Sequence, residues 1–119
     1  MSALTDPDRL AAYKDALRNW AVRGYILFEL TEQARQWVQR ELGVGDKEIR
    51  RLMHEFVDGG GEIDEVAETR PNWIDKWEFH HDLRFSIRGH SVYTETRLVF
   101  RLPLVPDDSR ILVVNIHEC

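Results

Sequence analysis

Four polar residues in the C-terminal half have side chains that suit phosphodiester cleavage without a metal. Such a reaction needs a base for the 2′-hydroxyl, an acid for the leaving oxygen and cations for the phosphate. An imidazole titrates near neutral pH, so His117 is the candidate proton-transfer group. Arg84 and Arg97 are candidates to hold the phosphate as a fork, and Tyr93 to hydrogen-bond or share the proton transfer.

An alternation with a period of two predicts that these side chains share one face of a sheet. From Trp77 to Ile87 the odd-numbered residues are apolar, with the exception of His81, and the even-numbered residues are polar. From Val92 onward the even-numbered residues are the apolar or β-branched ones. Both segments are typical of half-buried strands. The apolar run 111–116 predicts a third strand near the centre of the sheet.

The predicted turn between the first two strands is Gly89 and His90. This register brings opposite charges together on the polar face, which supports it. The charge pairs that it predicts are Glu78 with Arg101, Asp82 with Arg97, and Arg84 with Glu95. The same register places Phe79 opposite Phe100 on the core face.

A weaker register follows for the third strand if Leu102 faces Arg110 across the next loop. His117 then lies opposite Glu95, and Asn115 opposite Arg97. The core side chains of this strand are then Leu112, Val114 and Ile116. Together the two registers predict a cluster of two rows, each about 10 Å wide. The first row is Arg84, Glu95 and His117, and the second is Asp82, Arg97 and Asn115.

The cluster also has a plainer interpretation, as a ladder of charges that sets the register and keeps an exposed face soluble. His81 lies on the apolar face and is predicted to be a buried core histidine, whereas His80 is predicted to be solvated. Trp73 and Trp77 are predicted to pack in the core or at an edge rather than stack on bases.

Helical signals occupy the first half of the chain. Residues 5–8 form a helix start with a proline and acidic side chains. Thr31 and Gly43 are predicted to cap the two ends of a second helix, and Asp46 to cap a third that ends at the glycines 59–61. Residues 25–30 fit either a short strand or an apolar lead-in.

These signals predict one α+β domain over residues 1–119, with a helical part, 1–61, and a sheet part, 62–119. The helices are expected on one face of an antiparallel three-stranded meander, with possible short strands added. The acidic run 62–68 is expected to be a solvated short strand or loop.

Composition excludes several classes of protein. The chain has 119 residues with 16 basic and 21 acidic side chains, a net charge of −5, which argues against a non-specific DNA-coating protein. Its single cysteine, Cys119, excludes a disulfide framework and paired-cysteine zinc sites, and no metal or cofactor site is expected. No apolar run approaches the ~18 residues of a membrane span, and Asp6 and Asp8 are unlike a signal peptide. We therefore expect a cytoplasmic protein with no membrane association.

Three segments of the C-terminal half resemble the end of the MqsR-like toxins. These segments are residues 73–77 with two tryptophans, the turn and strand from Gly89 to Tyr93, and the closing strand 113–118. The order of the N-terminal elements is similar too. The resemblance implies a RelE/MqsR-like fold within the barnase–colicin–RelE group of metal-independent ribonucleases. It also implies a type II toxin that cleaves mRNA and is silenced by a cognate antitoxin.

The resemblance assigns Tyr93 to the tyrosine of the family's active face and His117 to the basic position of its closing strand. Two basic positions of the family are lost, because Glu95 occupies one and the acidic run 62–68 the other. Arg84 and Arg97 would then supply the missing charge. Further candidates for substrate binding are Trp73, Asn115 and Arg101.

Two other functions stay open. A non-catalytic module of the same fold would use the charged face as a ladder and bind a protein partner. A self-associating domain, such as a homodimer, would use the sheet edge or the exposed tryptophans.

Overall fold

A computed structural model of the chain describes residues 2–99 and 109–119. Within these residues, three α-helices and six strands form an α+β domain, as predicted. The helices are α1 (Pro7–Arg18), α2 (Glu32–Trp37), which continues into a π-helical turn (Val38–Leu42), and α3 (Asp46–Asp58). The strands are β1 (Ser2–Ala3), β2 (Ile26–Phe28), β3 (Asp64–Ala67), β4 (Phe79–Ile87), β5 (His90–Val99) and β6 (Arg110–Glu118).

The sheet has the strand order β1-β3-β4-β5-β6-β2 and is antiparallel except for the β2–β6 pair. The long strands β4, β5 and β6 are the predicted meander, and the three short strands extend it on both sides. One face of the sheet, here called the inner face, packs against α1 and α3 to form the core. The opposite face, here called the outer face, carries the polar side chains of β4 and β5.

Local signals set the helix boundaries as the sequence predicts. Asp6 caps α1 by accepting a hydrogen bond from the Arg9 backbone N–H at 2.9 Å. Thr31 caps α2 in the same way through Ala34, at 3.1 Å. Gly43 ends the π-helical turn with a φ of 63°, a conformation that costs glycine little. The exception is α3, where Gly45 is the N-cap and Asp46 is the first helical residue.

The predicted register of the β4–β5 hairpin is wrong by two residues. Ile87 pairs with His90, so the turn is Arg88-Gly89 rather than Gly89-His90. Both turn residues have positive φ, 50° and 84°, as a two-residue turn matched to the twist of the strands requires. Because the displacement is even, each residue keeps its predicted face, but Asp82 now lies opposite Glu95.

The predicted register of β5 with β6 is also wrong, since neither Glu95 with His117 nor Arg97 with Asn115 is a pair. It is displaced by two residues near Glu95 and by three beyond a β-bulge, where Arg97 pairs with Leu112. Tyr93 pairs with His117 and Glu95 with Asn115, but Thr96 pairs with Val113. The extra residue, Val114, reverses the alternation, so Ile111 and Val113 are buried in place of the predicted Leu112 and Val114. Ile116 lies in the core as predicted.

Three residues of these predicted pairs, Phe100, Arg101 and Leu102, lie outside the described residues. The predicted contacts of Arg101 with Glu78 and with substrate therefore stay predictions.

The hairpin turn gives the first testable prediction. Arg88→Asn raises the free energy of unfolding by about 0.5–1 kcal/mol, because asparagine adopts a positive φ more readily than arginine. Gly89→Ala lowers it by about 1 kcal/mol, and the cost is conformational because no atom lies within 4 Å of the added Cβ. Urea denaturation measures both. An unchanged midpoint in both variants would contradict the turn.

Candidate outer-face site

The outer face carries a row of three functional side chains across its three long strands. Arg84 on β4 lies opposite Tyr93 on β5, which lies opposite His117 on β6. Both neighbours contact the tyrosine ring. The His117 ring centroid is 4.6 Å from that of Tyr93, and the Arg84 guanidinium carbon is 4.9 Å from it. The three are here called the outer row.

Two members of the outer row face solvent. The Arg84 side chain is 48% exposed, and its guanidinium Nε lies 3.7 Å from an oxygen of Asp64. His117 is exposed, and its Nδ1 is 2.9 Å from the backbone oxygen of Glu118. Since a carbonyl only accepts, Nδ1 carries the proton of the neutral ring and Nε2 keeps its lone pair. An imidazole in this tautomer can accept a proton at Nε2.

Tyr93 lies beside a buried acid. Asp82, which is only 1% exposed, interacts with its hydroxyl. Burial and this interaction with Asp82 raise the pKa of Tyr93 well above its usual value. The same carboxylate lies 2.8 Å from Nδ1 of His80. Tyr93 therefore stays protonated and positions its two neighbours. The prediction that His80 is solvated is wrong, because its side chain is partly buried.

A row of acids lies beside the outer row. Asp64, Asp82 and Glu95 are consecutive neighbours across β3, β4 and β5. Burial raises the pKa of Asp64, and the nearby charge of Asp82 adds to this rise. The charge of Arg84 lowers the same pKa, but by less than burial raises it. Asp64 and Glu95 pair with arginines rather than with the acid directly opposite, whereas Asp82 is bonded to His80.

The deepest charge on the outer face is Arg97, which is fully buried. Its Nη2 lies 2.7 Å from Glu68 and 2.8 Å from Glu95. Arg70 bonds both of these carboxylates from the solvent side, with Nε 3.1 Å from Glu68. We call these four residues the buried quartet, in which two guanidinium groups share two carboxylates.

Both carboxylates of the quartet are held in the ionised form. Burial opposes ionisation of Glu68, but the hydrogen bonds from Arg70 and the charge of Arg97 outweigh it and lower its pKa. Burial also opposes ionisation of Glu95, but the hydrogen bonds that Glu95 accepts from Arg70 and Arg97 outweigh it and lower the pKa of Glu95.

Trp73 covers the quartet. The Arg97 guanidinium carbon lies 4.8 Å from the centroid of the Trp73 ring, and Trp77 lies beside that ring at 5.4 Å. Arg97 is therefore enclosed between strand and tryptophan and is not available at the surface as a phosphate ligand. The prediction that the tryptophans pack rather than stack on bases agrees with these contacts.

A groove of about 510 Å³ begins at His117 and runs along the edge of β6. We call it the edge groove. Its walls are α2 with the turn before it and the segment around Trp73, and its floor is the second half of β6. Asn115 and Trp73, both predicted to bind substrate, line it together with Trp37, Arg70 and Glu95.

On the inner face, His81 is a buried core histidine, as predicted. It is 2% exposed, and its Nε2 lies 3.0 Å from Glu65, which Arg9 also binds, at 2.8 Å. Burial lowers the pKa of His81 more than Glu65 raises it. Since β4 separates it from the outer row, His81 belongs to the core.

Comparison with protein-family models, with curated proteins and with solved structures finds no match. Among residues 2–99 and 109–119, no group of three or more histidine, cysteine or acidic side chains could hold a metal ion. The helices in the same residues are too short or too polar to cross a membrane.

The sequence did not point to Arg70 or Trp37, although both line the edge groove. Neither residue lies in a strand, so the alternation of polar and apolar residues does not place it, and only the fold brings its segment to the groove. The sequence feature closest to Arg70 is the pair of tryptophans, Trp73 and Trp77, which the sequence predicts to pack in the core or at an edge.

The buried quartet gives a second prediction. Arg97→Met lowers the free energy of unfolding by about 3–5 kcal/mol, because it leaves Glu68 and Glu95 buried without the cation between them. Arg51→Met is the matched control, since Arg51 also bonds two carboxylates, but on the surface of α3, where such pairs contribute about 0–1 kcal/mol. Equal losses in the two variants, measured by urea denaturation, would contradict a central role of Arg97.

A third prediction concerns pH. Folding lowers the pKa of Glu68 and Glu95 below their ordinary value of 4.5, so the unfolded chain binds more protons than the folded one just below that pH. Their contribution is complete above pH 4.5 and is lost as the pH falls through the lower folded values. The double variant Glu68→Gln/Glu95→Gln should therefore show a shallower fall of the urea midpoint below pH 4.5. Parallel curves for the two proteins would contradict this assignment.

Proposed function

We propose that this chain is a metal-independent endoribonuclease that cleaves RNA by attack of the 2′-hydroxyl. The observation that carries the proposal is the outer row, in which an exposed guanidinium and an exposed imidazole contact one phenol ring. The resemblance to the MqsR-like toxins supports it independently, since Tyr93 and His117 match positions of that family's active face.

In the proposed reaction, O2′ attacks the adjacent phosphorus and the bond from phosphorus to O5′ breaks. His117 takes the 2′-hydroxyl proton on Nε2, because its Nδ1 is bonded to the Glu118 carbonyl. A proton from water completes the leaving 5′-hydroxyl, and the product is a 2′,3′-cyclic phosphate. Arg84 would stabilise the negative charge that grows on the phosphate oxygens.

Tyr93 has a positioning role in this proposal. Because its pKa is raised, the hydroxyl stays protonated and does not act as a base. Its ring lies between the guanidinium of Arg84 on β4 and the imidazole of His117 on β6 and contacts both. Of the two arginines predicted to hold the phosphate, the proposal therefore keeps Arg84 and leaves out Arg97, which is enclosed in the buried quartet.

The proposed biological role is that of a toxin with a cognate antitoxin, in the cytoplasm. It rests on the resemblance, and the fold and net charge are compatible with it. The alternative, a non-catalytic protein-binding module, is favoured by a different observation. The buried quartet neutralises two of the cations that a polyanion would need, Arg70 and Arg97.

A fourth prediction tests the activity. With a chelator present, the wild-type protein cleaves a short single-stranded RNA and leaves a 2′,3′-cyclic phosphate. His117→Ala lowers the rate by about 100-fold or more, the usual contribution of a general base, and Arg84→Ala lowers it through loss of the phosphate contact. His54→Ala, a substitution on α3, leaves the rate unchanged.

The same RNA with a 2′-deoxy sugar at the cleaved position should bind and stay intact. Cleavage of that RNA, or equal rates for wild type and His117→Ala, would refute the mechanism. An intact RNA with the wild-type protein would favour the protein-binding module instead.

A further inference from the structure

The side of β6 that faces away from β5 has a strand partner, β2, along its first half, and α2 also contacts β6. Strand β2 pairs only with Ile111–Val113, and the bond from the Glu29 N–H to the Val113 carbonyl is the last one between them. Strand β6 continues to Glu118. Among residues 2–99 and 109–119, no strand pairs with that side of β6 after Val113.

The β-bulge determines which backbone groups face this edge. Before it, the N–H of Ile111 donates to Tyr25 on the β2 side. After it, the N–H of Cys119 donates to Ser91 on the β5 side, although both residues are odd-numbered. The alternation is therefore reversed, and the N–H and C=O groups of Ile116 and Glu118 point away from β5; Ile116 also lines the edge groove.

The edge groove beside these groups is large enough for a ligand. Its volume of about 510 Å³ lies within the range of small-ligand and peptide sites, about 300–1,000 Å³. Ala34 and Trp37 of α2 form an apolar wall, and Trp73 forms the opposite one. A row of backbone donors and acceptors between two apolar walls suits an extended peptide, because main-chain bonds supply affinity and side-chain pockets supply specificity.

The exposed charge in the groove specifies the peptide further. The side chain of Arg70 is 46% exposed, whereas that of Glu95 is 7% exposed beneath it. A ligand therefore meets the exposed guanidinium of Arg70 rather than the carboxylates beneath it. Because those carboxylates already match its charge, a hydrogen bond from this guanidinium, not a net positive charge, favours an acidic side chain. The complementary segment carries one acidic side chain near Arg70 and one large apolar side chain, two residues away, against the tryptophans.

From these observations we infer that the edge groove binds an extended segment of a partner protein, which adds to the sheet as a strand beside β6. The segment contains an apolar and an acidic side chain on the same face. The inference does not depend on the proposed ribonuclease activity. Since His117 belongs to both the outer row and the groove, a bound strand would lie beside the proposed RNA site and compete with RNA for it.

The test uses a blocked heptapeptide of threonines with isoleucine at its third and glutamate at its fifth position, titrated into the labelled full chain. In the free protein, the amides of Ile116 and Glu118 exchange with solvent faster than those of Asn115 and His117. The peptide slows exchange at Ile116 and Glu118 about tenfold or more. Methylation of alternate backbone nitrogens of the peptide, or lysine in place of glutamate, weakens binding by a similar factor.

Substitutions on α2 provide a matched set. Gln33 is exposed and lines the groove, so Gln33→Glu weakens peptide binding about threefold and Gln33→Lys strengthens it. Gln39→Glu places the same charge on an exposed position that does not line the groove and changes nothing.

Three results would overturn the inference. The first is no change in the exchange of the Ile116 and Glu118 amides at any peptide concentration. The second is binding that survives methylation of the peptide backbone. The third is protection of the same two amides by a single-stranded RNA and not by the peptide, which would assign the groove to nucleic acid. None of these depends on whether the protein cleaves RNA.

Discussion

The outer face depends on the ion pairs that Arg97 makes beneath Trp73. A guanidinium without solvent access must be paired, and Glu68 reaches it from the segment after β3 and Glu95 from β5. Arg70 then binds both acids from outside and fixes the start of the tryptophan segment over the sheet. This one buried network therefore joins the segment after β3 to β5, and it creates one wall of the edge groove.

The network also divides the basic residues of the sheet into two groups. Arg97 and Arg70 serve the structure, because their charges are matched by two carboxylates. Arg84 lies on the other side of the row of acids from Arg97, and nearly half of its side chain is exposed to solvent. It contacts the Tyr93 ring, which His117 also contacts. The proposed chemistry and the proposed peptide site thus use adjacent parts of one face, with His117 at their boundary.

The sequence was sufficient to predict the faces of β4 and β5, but not the registers or the buried face of β6 before its bulge. The alternation around His81 and the caps at Asp6 and Thr31 are local patterns, and the structure agrees with them. The hairpin register is wrong because the turn is Arg88-Gly89, where a non-glycine residue has positive φ, and not the predicted Gly89-His90. The bulge at Val114 and the reach of Arg70 to Glu95 depend on contacts between distant segments, so no local pattern contains them.

The central claim is that the exposed outer row of Arg84, Tyr93 and His117 is a site for RNA. The most direct measurement is a titration of the isotope-labelled protein with a short RNA that has a 2′-deoxy sugar at one position, followed by NMR of its side chains. We predict saturable shifts of the Arg84 guanidinium and the His117 imidazole, while the enclosed Arg97 guanidinium stays constant. Shifts confined to other surfaces, or no shifts at all, would contradict the account.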